Sequence, residues 1–251
     1  MARATPRLFV AGDLAEGGAV LLSAEQAHYL RNVLRLGLGN GVTLFNGRDG
    51  EWKARLDHIG RNAATAIAET RLREQAAGPD VRLCFAPVKK VAVDAIAEKA
   101  TELGVARLMP VLTAHTDVSR VNVDRLRAHA VEAAEQCERL DVPSVDQPVT
   151  LDRLLAGWPA DRPLILCAES GDARPVAEVA AALAGRPVGL LIGPEGGFAQ
   201  AELDGLAKLP FVHPVGLGPR ILRADTAAVA ALACWQCLAG DWRVRPPGRE
   251  A

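Results

Sequence analysis

Two stretches near the end of the chain decide its fold: GPEGGF at 193–198 and GLGPRILRADTAAVAAL at 216–232. Each follows a short apolar run, VGLLI or FVHPV, of the kind that forms buried parallel strands. In open α/β sheets, ligands bind beyond the carboxyl ends of the strands, where these two loops would lie. Glycine permits positive φ and lets backbone N–H groups approach a ligand closely. The two loops therefore predict a small-molecule site, although neither has the GxGxxG or P-loop pattern of a nucleotide fold.

The residues just after the second loop indicate an anion-stabilising role. Asp225 or Thr226 is well placed as the N-cap of the Ala-rich helix that follows. Capping explains Asp225 and Thr226, but it does not explain Arg223, because a helix start does not need an arginine before it. The helix N-terminus and Arg223 would together favour a developing negative charge.

Upstream of the two loops, apolar strands alternate with amphipathic helices back to about residue 80. Such alternation predicts a parallel sheet with helices on both faces. The predicted strands are 81–87, 106–112, 163–169, 187–192 and 211–215, and the predicted helices are 91–104, 123–137, 175–183, 199–209 and 224–238.

The N-terminal region has a different pattern, which predicts short strands separated by turns. We expect a small β-barrel with strands at 8–10, 19–23, 42–46, 51–59 and 63–71. One helical segment, AEQAHYLRNVLRLG at 24–37, interrupts it, with Gly37 at the position of a C-terminal cap. A polar linker, REQAAGPD, suggests two domains, 1–75 and 76–251.

The composition excludes a mainly disordered or collagen-like chain. It does not strongly favour any one function. With 49% hydrophobic and 24% charged residues, the chain is of ordinary globular composition. The net charge of −1 gives no direct support for nucleic-acid binding, although the first 75 residues carry ten Lys and Arg against eight acids. The start of the chain lacks the features of a signal peptide, so we expect a cytoplasmic protein. We expect the five cysteines to be reduced thiols. Cys234 and Cys237 have the spacing of a zinc-binding pair, but this pattern alone is weak evidence for zinc, so we predict no metal.

Five motifs together resemble the SPOUT-class 16S ribosomal RNA (uracil-N3)-methyltransferase family. They are HYLRNVLR at 28–35, KATELGV at 99–105, AAEQC at 133–137, GPEGGF and GLGPRILRADTA. The resemblance spans nearly the whole chain. It implies an N-terminal PUA-like barrel that docks RNA, a C-terminal SPOUT domain with a deep trefoil knot, and a homodimer. The implied reaction is S-adenosylmethionine-dependent methylation of N3 of a uridine, U1498, of 16S ribosomal RNA in the small subunit.

The resemblance also implies roles for individual residues. Arg223 is the expected catalytic residue, stabilising the uracil anion. Arg7, His28, Arg31 and Arg35 are the expected RNA-binding residues. The expected cofactor-binding residues are Ile192, Gly193, Pro194, Glu195, Gly196, Gly197, Gly216, Leu217, Gly218, Ile221, Leu222, Arg223, Thr226 and Ala227.

Some alternatives stay open from the sequence. Glu195 could act as a base, but a role in holding its loop by accepting backbone hydrogen bonds is the better reading, and no histidine is assigned a catalytic role. The chain departs from the family at VKKVAVD, with Lys89 and Lys90, where a Gly-Asp-Arg type turn is usual, and at Glu138, where glycine is common. Two rival functions are another SPOUT RNA methylation, on transfer RNA or a ribose 2′-hydroxyl, and a non-catalytic ribosome-binding factor.

Overall fold

The computed structural model describes residues 5–116, 120–168 and 173–244 of the chain. The ends of the two predicted domains, 1–4 and 245–251, and Glu169 at the end of a predicted strand lie outside the described residues. The chain forms two compact units, 1–77 with 134–142, and 78–133 with 143–251. The sequence prediction placed 134–142 in the second domain, whereas the structure groups this segment with the first.

Thirteen strands are found among the described residues. They are β1 Arg7–Phe9, β2 Ala19–Leu22, β3 Gly41–Phe45, β4 Glu51–Ile59, β5 Ala64–Arg73, β6 Val81–Phe85, β7 Arg107–Leu112, β8 Ser144–Val145, β9 Val149–Thr150, β10 Leu164–Cys167, β11 Arg174–Pro175, β12 Val188–Ile192 and β13 Val212–Gly216.

Seven α-helices accompany them. They are α1 Ala24–His28, α2 Lys90–Glu102, α3 Val123–Gln136, α4 Leu151–Ala156, α5 Val176–Ala182, α6 Gln200–Leu206 and α7 Ala224–Leu238, with a π-helical turn Tyr29–Val33 directly after α1.

The first unit is built on a five-stranded sheet in the order β1-β3-β4-β5-β2. Only β1 and β3 pair in parallel; the other described neighbours are antiparallel. Alternate residues of β4, among them Ala54 and Leu56, and of β5, among them Ala64 and Ala66, are buried in one apolar core. The predicted strands of this region are confirmed.

The helical segment after β2 ends earlier than predicted. Ser23 caps α1, and Leu30 of the π-helical turn is fully buried. The chain reverses at Arg35, which has a φ of 55°, and not at Gly37, which has no positive φ. The predicted glycine cap is therefore wrong: a non-glycine residue takes the left-handed conformation here, a strained one for most side chains.

A buried cluster of charges joins three strands of the first unit. Glu51, at the start of β4, accepts from Arg7 Nε at 2.5 Å and from Arg73 Nε at 2.7 Å. The Arg7 guanidinium also lies 3.7 Å from the centroid of the Phe45 ring. Burial alone would raise the pKa of Glu51, but the hydrogen bonds from Arg73 and Arg7 outweigh it and hold this pKa below its ordinary value.

The same arginines hold the segment 134–142 to this unit. Arg7 Nη1 donates to the Ala134 carbonyl at 2.7 Å, and Arg73 Nη2 donates to the Glu138 carbonyl at 2.8 Å. Glu138 has a φ of 61°, so the segment turns sharply where it receives this bond. Charge-assisted hydrogen bonds of this kind are stronger than neutral ones and account for the attachment of a segment that is distant in sequence.

The second unit is an eight-stranded sheet in which every described pairing is parallel. The order is β11-β13-β10-β12-β6-β7-β8, with β9 pairing β7. Leu151 and Leu154 of α4 and Leu206 of α6 pack in one core cluster with the strands, while α7 contacts β6 and β12 and packs against α2 and α5. The predicted parallel sheet with helices on both faces is confirmed, although α4 and the short strands β8, β9 and β11 were not anticipated.

Glu51→Gln should lower the free energy of unfolding at pH 7 by about 3 kcal/mol, because it leaves the largely buried Arg7 and the partly buried Arg73 without their carboxylate. The folded-state pKa of Glu51 is depressed, so its contribution is present above the unfolded value of about 4.3 and is lost as the pH falls through the folded value. The difference between wild type and variant should thus shrink below about pH 4. Urea unfolding between pH 7 and pH 3 measures it.

The matched control is Glu69→Gln, which breaks an exposed pair whose Arg55 Nε–Glu69 Oε1 distance is 3.1 Å. An exposed pair contributes at most about 1 kcal/mol. Equal losses for the two variants at pH 7 would contradict a stabilising role for the buried cluster.

Candidate cofactor site

Three neighbouring strands end together at one edge of the second unit's sheet. The strand β10 lies between β12 and β13, and Cys167 at its end is in register with Ile192 and Val215. The glycine-rich loop that leaves β12 begins at Gly193, and the loop that leaves β13 follows Gly216, the last residue of that strand. Because the strands are parallel, their loops must emerge on the same side of the sheet.

These strand ends and the start of α7 enclose a cleft with an empty volume of about 880 Å³. Nine of the predicted cofactor-binding residues line it: Ile192, Gly193, Pro194, Gly197, Leu217, Gly218, Ile221, Leu222 and Ala227.

Five of the predicted residues are not among those that line the cleft. They are Glu195, Gly196, Gly216, Arg223 and Thr226. The roles of all fourteen residues stay predictions.

The structure adds cleft residues that sequence reasoning missed: Cys167, Ala168, Phe198, Leu203, Arg220 and Ala224. Cys167 ends β10 and Ala168 follows it. This strand lies far from the glycine loops in sequence, and only the strand order brings it between them. Arg220 stands inside the second loop, where its charge could have marked it.

The backbone of the two loops explains their glycines. Gly197 has a φ of 71° and Gly218 has a φ of 99°. Residues other than Gly and Asn rarely adopt a backbone conformation with positive φ. A Cβ built on Gly193 would lie 2.7 Å from the Phe198 ring, so this position cannot carry a side chain while Phe198 stays in place. Gly193, Gly197 and Gly218 all line the cleft, so backbone without a Cβ borders it in both loops.

The first glycine loop is held from outside by two side chains. His115, in the loop after β7, has its Nδ1 at 3.2 Å from the Gly196 carbonyl and 3.1 Å from the Gly197 carbonyl. A carbonyl oxygen can only accept, so Nδ1 must carry the ring proton. Glu202 accepts the N–H of Ala114 at 2.8 Å and that of Ala199 at 2.9 Å.

The loop-holding carboxylate is thus Glu202, and not Glu195 as the sequence suggested. Glu195 is exposed, and no hydrogen bond to its carboxylate is found among the described residues. His115 is a positioning residue that sequence reasoning missed, since a lone histidine carries no signal of its own.

The electrostatics of the cleft come from Arg220 and from the start of α7. Burial raises the pKa of the Cys167 thiol to about 12, so this group stays neutral and is no thiolate nucleophile. The N-cap residue of α7 is Arg223, and not Asp225 or Thr226; the Asp225 carboxylate instead accepts the Thr226 N–H at 2.7 Å. Ala224 and Ala227 of the first turn line the cleft, so the positive end of the helix dipole lies beside it.

Both units of the chain are similar to domains of RNA methyltransferases. Residues 76–236 match the model of the RNA methyltransferase domain, and residues 22–69 match the model of the RNA methyltransferase PUA domain. The ribosomal RNA small subunit methyltransferase E of Rickettsia conorii is 31% identical over 230 residues, which cover 90% of this chain and 93% of the relative. The chain belongs to the ribosomal RNA small subunit methyltransferase E family. The Synechocystis member is 33% identical over 231 residues, covering 90% of this chain and 76% of that relative.

Two solved structures similar to this family member contain S-adenosylmethionine. A methyltransferase of Legionella pneumophila has a TM-score of 0.84 and 29% identity, covering 95% of this chain and 100% of that one. The ribosomal RNA small subunit methyltransferase E of Neisseria gonorrhoeae has a TM-score of 0.82 and 27% identity, covering 95% and 99%. The predicted family and the predicted SPOUT-like and PUA-like architecture are confirmed.

The residues predicted to bind RNA have different surroundings. His28, Arg31 and Arg35 are exposed around the π-helical turn of the first unit. The side chain of Arg7 is only 9% exposed and is committed to Glu51, so the contacts that the structure gives it are structural. All four RNA contacts stay predictions.

No group of three or more His, Cys, Asp and Glu side chains that could hold a metal is present in the part of the chain that the structure describes. Within 5–116, 120–168 and 173–244, no helix has both the length and the apolar character that crossing a membrane requires.

Gly197→Val should weaken S-adenosylmethionine binding by about 5- to 100-fold, because a β-branched residue at positive φ costs on the order of 1–3 kcal/mol and would displace the loop. Gly197→Asn should bind nearly as well as wild type, since Asn tolerates this conformation. Isothermal calorimetry measures both dissociation constants.

The control is Gly185→Val, at a φ of 79° in the turn after α5, where a Cβ also meets no atom within 4 Å. This substitution carries the same backbone strain away from the cleft. If it weakened cofactor binding as much as Gly197→Val, the effect would report general destabilisation and not the loop.

Proposed function

We propose that this chain binds S-adenosylmethionine in the cleft and methylates N3 of a uridine in 16S ribosomal RNA, the position U1498 that its family resemblance implies. The observation that carries the proposal is the cleft itself, formed by the ends of β10, β12 and β13 and by the first turn of α7. It lies in a chain of which 95% is similar to each of two structures that contain this cofactor.

The residues of the cleft fit such a cofactor. Phe198, Leu203 and Leu217 offer apolar surface for a flat ring, and the loops with positive φ at Gly197 and Gly218 offer backbone groups for polar contacts. When bound, the cofactor supplies the methyl group on an electrophilic sulfonium, so the protein need not provide a nucleophile of its own. The raised pKa of the Cys167 thiol is consistent with this, because a neutral thiol is a poor nucleophile.

The chain must then favour a uracil that has lost the N3 proton. We assign this to Arg223, at the N-cap of α7, where its charge adds to the positive end of the helix dipole. Arg220 lines the cleft and supplies a second cation. A developing anion near these cations would be stabilised in the transition state, which would raise the rate of the chemical step.

Further elements of the proposal follow the family resemblance. Exposed Arg31 and Arg35, with His28, would contact RNA from the first unit. A homodimer would cover apolar side chains on and after α7, among which Val229 is 37% exposed and Trp242 is 54% exposed. The SPOUT trefoil knot, two domains divided near residue 76, the absence of a bound metal and a cytoplasmic location complete it.

The proposal predicts one modified base. Ribosomal RNA from cells lacking this protein should lose a single N3-methyluridine of the 16S RNA, and purified protein with S-adenosylmethionine should restore it on their small subunits. Mass spectrometry of nuclease fragments makes the measurement. A missing methyl group on a ribose or on transfer RNA would assign a different SPOUT activity, and an unchanged methylation pattern would indicate a non-catalytic factor.

Arg223→Ala should lower the methyl-transfer rate by on the order of 10²–10³, the usual effect of losing one charge-stabilising donor, with cofactor affinity nearly unchanged. Arg223→Lys should restore only part of the rate, because an ammonium does not reproduce the guanidinium fork. Single-turnover rates on small subunits, with cofactor titrations, separate binding from chemistry.

Arg220→Ala is the matched comparison, since Arg220 lies three residues away and lines the cleft. If Arg220→Ala abolished the rate and Arg223→Ala kept it, the catalytic cation would be Arg220. If Arg223→Ala weakened only cofactor binding, Arg223 would hold the loop and take no part in the chemistry.

A further inference from the structure

A second cavity lies in the methyltransferase unit, and the cofactor site does not use it. Its empty volume is about 650 Å³, and it is lined by the loop after β6 and by the first turns of α2 and α3. Pro87, Val88 and Val93 contribute apolar surface, and Lys90, Arg120 and Arg125 contribute cationic side chains. No residue of this cavity lines the cofactor cleft.

The charges of this cavity are unbalanced. Its carboxylate, Asp94, is already engaged: Arg125 Nη2 forms a close ion pair with it, and His129 Nε2 lies 3.5 Å from its other oxygen. Lys90 and Arg120 are exposed, and neither has a carboxylate within ion-pair distance in the part of the chain that the structure describes. Two positive charges therefore remain without a protein partner there.

The helices around the cavity add to this positive potential. Lys90 is the first residue of α2, whose first turn carries no acidic residue, and Lys89 precedes it as the N-cap residue without a side-chain hydrogen bond. At the other wall, Asn122 accepts the Arg125 N–H at 3.0 Å and so caps the start of α3. N-termini of helices of 13 and 14 residues thus border the same cavity as the two cations.

We propose that this cavity, which we call the Lys90–Arg120 cavity, binds a phosphate of the RNA substrate. Lys90 and Arg120 would contact the phosphate, and the apolar surface of Val88 and Val93 would lie against the adjoining sugar or base. The ion pair of Arg125 and Asp94 would keep the cavity walls in place. This inference rests on the proposed function, because it names the RNA as the source of the phosphate.

The same departure from the family pattern that the sequence showed supplies one of these cations. The turn at VKKVAVD places Lys89 and Lys90 at the start of α2, where the family usually has a Gly-Asp-Arg type turn. The first turn of α2 therefore carries cationic side chains and no acidic residue.

Lys90→Glu combined with Arg120→Glu tests the proposal on the full-length protein. RNA affinity, measured with isolated small subunits at several salt concentrations, should fall on the order of 10- to 100-fold at low salt. The slope of log K against log salt should become shallower by about 0.7 for each RNA phosphate that the variant no longer neutralises. The affinity for S-adenosylmethionine, measured by calorimetry, should stay at the wild-type value.

The matched control is Arg153→Glu combined with Lys208→Glu, two exposed cations of the same unit that line neither cavity. It changes the net charge by the same amount. If both double variants showed the same decrease in RNA affinity and salt dependence, the effect would be one of overall charge and the proposal would be overturned.

Two further measurements separate the possible failures. If pyrophosphate bound the wild type at micromolar concentration and not the Lys90/Arg120 variant, while RNA affinity stayed normal, the cavity would serve a small phosphate ligand and the RNA assignment would be wrong. If the wild type methylated the 16S RNA and the variant bound RNA like the control, the cavity proposal alone would fail. If the wild type methylated no ribosomal RNA, the proposed function would fail instead.

Discussion

The functional architecture of the second unit depends on one constraint: parallel strands end at the same edge of their sheet. With β10 between β12 and β13, the loops that follow these three strands have to share one space. The first turn of α7 borders the same space, because Ala224 and Ala227 line it. The cleft is therefore a consequence of strand order and direction, and the glycines adapt its walls to a ligand.

A glycine loop that forms a wall must also be kept in one conformation. The mobility that glycine brings is opposed here by His115, which reaches two carbonyls of the loop, and by Glu202, which joins Ala114 to the start of α6. Neither group would need to touch a bound cofactor. Their contribution is preorganisation: a loop that is already ordered loses less conformational freedom when it binds.

The distribution of charge explains how a chain of net charge −1 can serve an RNA-modifying family. Arg7 and Arg73 form ion pairs with Glu51 and donate hydrogen bonds to backbone carbonyls within the first unit. Other cations, such as Arg31 and Lys90, are exposed. Recognition of a polyanion depends on the cations that lack an internal partner, so the net charge and even the local count of arginines give little information about it.

The sequence by itself determined the elements and their class. Strand and helix periodicity is a property of neighbouring residues, so it located the main strands, the parallel sheet and the extent of α7, although not its N-cap. The family motifs indicated the cofactor and an RNA methyltransferase. Tertiary structure decided what depends on residues far apart in the chain. The strand β10 lies between β12 and β13, which precede the two glycine loops, and residues 134–142 belong to the first unit. The left-handed turn occurs at Arg35 and not at Gly37. The carboxylate that holds the first glycine loop is that of Glu202 and not that of Glu195. Arg220, three residues before the predicted Arg223, also lines the cleft. These outcomes follow from strand pairing and side-chain contacts across the fold, and no local pattern encodes which distant partner a residue will meet.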